Sequence, residues 1–268
     1  MKENFRNFEL NDGTPVDAAL QSELEKIDAN LRHRLGMTPL QTAVGVFDLR
    51  TCRLAMLQPD SEFYAASVAK IGILLAYFQL HPAEAVNLEA ATRHELGLMI
   101  KASSNEMAAK FSRQLGLQRI QQVLDAHGFY NPQRGGGLWV GKHYGETGER
   151  FGSPAGDHSH AATVRQLLRF YLLLEQGRLV SPEASAAMRH IFASPEIPQD
   201  DIKFAHPLAG RGATLLRKWG SWEDWLHDTA IVTGPGRHYL LVALTHHPQG
   251  DDYLVALASA VDDLMIAA

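Results

Sequence analysis

A serine and a lysine stand three residues apart where a strongly apolar segment begins. They are Ser67 and Lys70 in Phe63-Tyr-Ala-Ala-Ser-Val-Ala-Lys-Ile-Gly-Ile-Leu-Leu-Ala-Tyr-Phe78. Residues at i and i+3 share one helix face, so the hydroxyl and the amine can meet. The helix N-terminus behind the serine presents the positive end of the backbone dipole. A serine hydroxyl attacks a carbonyl only when a base takes its proton, and a lysine held in an apolar helix can have its pKa lowered enough to serve. The pair therefore suits acyl transfer. The spacing alone also fits an N-cap serine followed by a solvated lysine, so the remainder of the chain has to decide.

The elements that must position this pair can be read from periodicity. Residues 14–35 form an amphipathic pattern with Thr14 as expected N-cap, Pro15 in the first helical position and Gly36 as the stop. Thr42–Asp48 and Arg53–Leu57 read as two strands of a hairpin with Cys52 in its turn. Helical patterns follow at Ser67–Leu80, Ala90–Lys101, Asn105–Leu115, Leu117–His127, Ala161–Gln176 and Ser181–Ile191. A Gly-rich irregular stretch separates His127 from His160, and a loop this long in a compact domain is usually functional. Strands return at Leu215–Ser221, Asp228–Thr233 and His238–Thr245, with Gly234-Pro-Gly-Arg237 turning between the last two, and a helix from Asp252 to Ile266 closes the chain.

Strands at both ends most economically form one antiparallel sheet. The expected fold is α/β (α+β): residues 1–60 and 205–268 form an α/β subdomain, with a helical subdomain at 61–204 inserted between them. At 268 residues the chain can bury a large core. A net charge of −5 with no basic stripe argues against a nucleic-acid surface. The longest apolar run, near Ile71–Phe78, is too short to span a bilayer, and the polar start Met1–Leu10 has no apolar leader. The single cysteine excludes an intrachain disulfide. His158, His160, His246 and His247 lack a third-ligand pattern, so no metal and no cofactor is expected.

Two further motifs fall in line with Ser67 and Lys70. They are Ser103-Ser104-Asn105, which opens a helix, and Lys218-Trp219-Gly220-Ser221 on the first C-terminal strand. With these three motifs in this order, the chain resembles the serine penicillin-recognising superfamily of class A β-lactamases and D,D-peptidases. The resemblance runs from the first helix to the last, and it implies a β-lactamase-like two-subdomain fold and a hydrolase working through an acyl-enzyme. It implies Ser67 as nucleophile, Lys70 as base or relay, Ser103 as proton shuttle and Lys218 as the cation holding that shuttle. Substrate binding would fall to Asn105, Trp219, Gly220, Ser221 and His227, with the amides of Ser67 and Ser221 as the oxyanion hole. The implied partner is a small molecule, a β-lactam or a peptidoglycan-derived peptide, and the implied compartment is extracytoplasmic.

The chain also departs from that pattern. Trp219 replaces a small hydroxyl residue, Ser104 an acidic one, and His227 stands where an arginine often grips the substrate carboxylate. Weak carboxylate binding, improving as His227 protonates at low pH, is therefore expected. The deacylating Glu-x-x-Leu-Asn motif is missing, and its loop offers only Glu146 and Glu149, each without the usual neighbours. A weak or atypical β-lactamase is expected, and the alternative is an impaired binding or scaffold protein that retains the fold.

Overall fold

The computed structural model describes residues 4–267; residues 1–3 of the polar start lie outside the described residues. The chain opens with α1 (Ala18–Leu35), then β1 (Thr42–Asp48), β2 (Arg53–Leu57) and the short β3 (Phe63–Tyr64). The helical block holds α2 (Lys70–Leu80), α3 (Ala90–Ile100), α4 (Asn105–Leu115) and α5 (Leu117–Ala126). Short strands β4 (Tyr130–Asn131), β5 (Gly136–Gly137), β6 (Trp139–Val140) and β7 (His160–Ala162) precede α6 (Val164–Glu175), α7 (Pro182–Ala193) and the one-turn α8 (Ala205–Leu208). The chain closes with β8 (Thr214–Trp222), β9 (Trp225–Gly234), β10 (Arg237–His246) and α9 (Gly250–Ala267).

Among the described residues, both chain ends meet in one antiparallel sheet of order β2-β1-β10-β9-β8. Its central strands are apolar on both faces because both are covered. Ala43, Phe47, Ile231, Leu240 and Val242 face the core shared with α2 and α6. Val44, Val46, Ala230, Leu241 and Ala243 face α1 and α9. Side chains alternate faces along a strand, so two-sided burial turns an alternating pattern into a continuous apolar run. The sheet leaves β8 as an edge strand.

Helix α1 starts later than the sequence indicates. Asp17 caps it by accepting the Leu20 N–H at 2.8 Å, whereas Thr14 bonds to Asn11 and Glu9 in the preceding turn. The inserted block also carries short ladders, since β3 pairs with β7 and β7 with β6. Residues 161–162, where the sequence pattern starts a helix, are therefore strand, and the helix begins at Val164.

The Gly-rich stretch folds around a carboxylate. Glu62 accepts from the Ser153 hydroxyl, the nearby Gly137 and Gly156 amides favour its charged form, and burial still raises its pKa. Gly136, at φ +91°, brings bare backbone against it, and a Cβ there would stand 1.8 Å from Glu62 Oε2. Gly136→Ala should therefore destabilise the fold by about 1–3 kcal/mol through clash and a left-handed backbone. Denaturant unfolding reads this directly, and an unchanged midpoint would show that the loop does not close on Glu62.

Candidate active site

Helix α2 is buried on every side from Lys70 to Phe78, which places the Lys70 ammonium in the first turn of a core helix. A short 3-10 turn, Ala66–Ala69, leads into it and carries Ser67. Ala66 sits at φ 45° just before the serine, and Ser103 at φ 55° on the facing loop. Each left-handed non-glycine residue costs roughly 1–3 kcal/mol and persists only when its surroundings enforce it.

Lys70 Nζ lies 3.0 Å from Ser67 Oγ, 2.6 Å from Ser103 O, 3.3 Å from Ser103 Oγ and 2.8 Å from Asn105 Oδ1. From the other side Lys218 Nζ reaches Ser103 Oγ at 2.8 Å and Trp219 O at 2.6 Å. Desolvation lowers the Lys70 pKa to about 7, so a neutral amine is available near neutrality. Lys218 is fully buried, and desolvation first, then the charges of Lys70 and Arg217, push its pKa well below the ordinary lysine value.

Gly220 brings β8 against the nucleophile, since a Cβ there would stand 2.9 Å from Ser67 N and 3.0 Å from Val68 N. The free edge of β8 can thus offer the Ser221 amide beside that of Ser67. A cavity of about 420 Å³ opens here, lined by Ser67, Asn105, Ser221, Tyr144 and His160 among others. The structure therefore gathers Ser67, Lys70, Ser103, Asn105, Lys218, Gly220 and Ser221 in one place.

Trp219 and His227 are placed differently from the sequence expectation. Trp219 does not line this cavity; its ring lies 5.0 Å from Lys218 Nζ. His227 pairs with Gly220 across the β8–β9 ladder, so it points to the same inner face and is fully buried. Its Nε2 bonds to Tyr64 O at 2.7 Å and its Nδ1 accepts the Thr245 N–H at 3.1 Å. Burial drives its pKa down to about 3, so it stays neutral and cannot supply a carboxylate grip at mild acidity. His227 is a core histidine.

Tyr144 and His160 are cleft residues that no sequence motif marks. Tyr144 donates to Ala66 O at 2.8 Å, and its ring lies 4.6 Å from Lys70 Nζ. His160 packs on Tyr144 with ring centroids 4.1 Å apart. Glu146 lines the cavity but is paired with Arg113, and Glu149 is exposed on the loop outside it. Among the described residues no helix is long and apolar enough to cross a membrane, and no group of three His, Cys, Asp or Glu could hold a metal ion.

Comparisons to known proteins identify the family and the fold. The model of the beta-lactamase enzyme family matches residues 85–265, about two-thirds of the chain, and the chain belongs to that family. Solved structures share the fold at low identity. A beta-lactamase from Sphaerobacter thermophilus aligns with TM-score 0.72 at 17% identity, over 92% of this chain and 98% of its own. One from Chitinophaga pinensis gives 0.71 at 13%, over 93% and 98%. A mutant of PBP-A, solved as an acyl-enzyme complex with penicillin G, gives 0.73 at 18%, over 95% and 100%. No curated protein sequence matches.

Because His227 occupies a filled apolar site, His227→Arg should destabilise the protein by about 3–5 kcal/mol by burying an unpaired guanidinium, and should give no gain in carboxylate binding. Thermal unfolding tests this; a variant as stable as wild type would place His227 at the cleft after all.

Proposed function

We propose that this protein is a serine hydrolase that takes the acyl group of a β-lactam or D-Ala-D-Ala-like amide or ester onto Ser67 and releases it slowly. The observation that carries the reading is the 3.0 Å contact between Ser67 Oγ and a lysine whose pKa has fallen to about 7. Neutral Lys70 takes the Ser67 proton as Oγ attacks the substrate carbonyl. The developing oxyanion is held by the amides of Ser67 and Ser221, each worth roughly 10²–10³ in rate. Ser103 passes a proton to the leaving nitrogen and regains one through the two lysines that flank it. Asn105, whose Oδ1 is engaged by Lys70, keeps its amide N–H groups for the acyl chain.

Slow release follows from what surrounds the pair. Among the described residues no carboxylate bonds to Ser67, Lys70 or Ser103, and the aromatic ring of Tyr144 covers Lys70 instead. A water attacking the ester finds no strong base held beside it, so acylation should outrun deacylation.

Incubation with penicillin followed by intact-mass measurement should show a persistent adduct that Ser67→Ala abolishes. Lys70→Ala should slow acylation by about 10²–10⁴-fold. The wild-type acylation rate should fall as pH drops through about 7, because Lys70 then holds its proton, with about a tenfold loss per unit below. An adduct surviving on Ser67→Ala, or a rate that climbs on acidification, would overturn the assignment. Failure of penicillins and fluorophosphonates alike on folded protein would favour a binding protein that only retains the fold.

A further inference from the structure

The cleft does not end at Ser221. A second hollow of about 370 Å³ continues from it toward Trp225, and Tyr64, Lys142, Ser159 and Trp222 line both. Trp222 is 59% exposed at this junction, an indole face left to water beside a reactive serine. Lys142, half-buried, has no carboxylate partner among the described residues.

The other charges nearby are already engaged. Arg150 is paired with Asp157, and Glu146 with Arg113. His158 is held below its ordinary pKa, first by burial and then by Arg150. An opposing charge, Glu223, sits at the exposed tip of the β8–β9 hairpin, where it acts on Tyr64. Toward the proton-shuttle end the picture reverses: Lys218 is fully buried and its amine is committed to Ser103 and Trp219 O. Among the described residues, Lys142 is thus a cleft cation with no ion-pair partner, in the part of the cleft that continues into the second hollow.

We propose that Lys142 and Trp222 form a specificity subsite for an acyl chain that carries an anionic group next to a flat apolar one. The inference rests on the acyl-enzyme reading of Ser67. The scissile bond is oriented by its leaving nitrogen at Ser103. The acyl amide then lies along the free edge of β8, as a strand added to a sheet edge, with Asn105 opposite. Continuing past Ser221, the acyl chain meets Trp222, the next residue on that strand, and Lys142, which lines the same two hollows from the loop. An indole face takes a planar group, and an unpaired ammonium takes a carboxylate.

Three penicillins that share one nucleus separate the possibilities: benzylpenicillin, its α-carboxy analogue carbenicillin and its α-amino analogue ampicillin. Second-order acylation rates measured by intact mass should rank carbenicillin above ampicillin by about fivefold or more at low salt, as an ion pair of this exposure allows. The ratio should shrink in about 0.5 M salt. Lys142→Glu should invert the order, an outcome that mere loss of packing would not produce, and Glu223→Gln should widen the wild-type ratio. Trp222→Ala should lower the rates of the phenyl-bearing compounds relative to an acyl chain without a ring. Equal rates for the three compounds, or no inversion in Lys142→Glu, would overturn the subsite while leaving Ser67 acylation standing. No adduct with any of them would instead overturn the reading on which it rests.

Discussion

Two buried lysines converge on one hydroxyl. Lys218 Nζ and Lys70 Nζ lie 2.8 and 3.3 Å from Ser103 Oγ, and neither side chain has measurable exposure. Two ammonium ions sharing one small dipole in a desolvated pocket repel each other, and the arrangement is tenable when one of them gives up its proton. Which one does so is set by its neighbours. Desolvation lowers the pKa of both amines, and the charges of Lys70 and Arg217 push that of Lys218 down further. On the proposed reading, an amine free to take a proton beside Ser67 is what acyl transfer through that serine requires.

Several elements exist to keep that crowded pocket in place. Thr229 donates to Lys218 O at 2.7 Å and shares a hydrogen bond with the Tyr171 hydroxyl, so α6 and β9 jointly fix the strand that carries Lys218. The Arg217–Asp228 pair, buried behind it, also holds the Phe204 N–H. With the Thr229 N–H donating to its Oδ1 at 2.9 Å, Asp228 is satisfied from three directions, and removing Arg217 or Asp228 would leave a buried charge uncompensated. The left-handed residues Ala66 and Ser103 are each held through their carbonyl oxygens, Ala66 by the Tyr144 hydroxyl and Ser103 by the Lys70 amine. Strain, desolvated lysines and a close glycine contact are all concentrated within one loop–helix–strand junction.

The sequence reveals this junction better than it reveals what surrounds it. Ser67, Lys70 and Lys218 each begin a regular element or sit within one, and Ser103 lies two residues before α4, so the order of the three motifs along the chain brings them into view. The start of α1 is less legible, because Thr14 and Asp17 are both good caps and only the Asp17 side chain reaches a free N–H. The position of His227 is hidden in the sequence for a more instructive reason. Strands ending at Ser221 and resuming at Asp228 imply a six-residue loop, whereas the hairpin turns on Glu223 and Asp224 alone. Shortening the turn fixes the register, and the register decides face: opposite Gly220, His227 can only point inward. The two-residue ladders around β5 and β6 are too short to show any period, which hid both the Glu62 cradle and the placement of Tyr144.

Tyr144 and His160 determine what stands beside Ser67 and Lys70 on the side of the Gly-rich segment. Both come from the segment after the helical block, the part with the least periodic sequence, and both sit against the nucleophile turn: Tyr144 bonds to Ala66 O, and the Ala65 N–H to His160 O. They secure the turn that carries Ser67, and in doing so they fill the ground beside Lys70 with rings. His160 Nε2 is buried there without a protein partner, and its pKa is lowered to about 3, by desolvation first and then by Lys70. A neutral imidazole of such low basicity can accept a hydrogen bond from water but is a poor acceptor for its proton. On the proposed reading, attack on the serine and hydrolysis of the ester are therefore unequally equipped: the first has an amine tuned to neutrality, the second a weak acceptor and an aromatic wall.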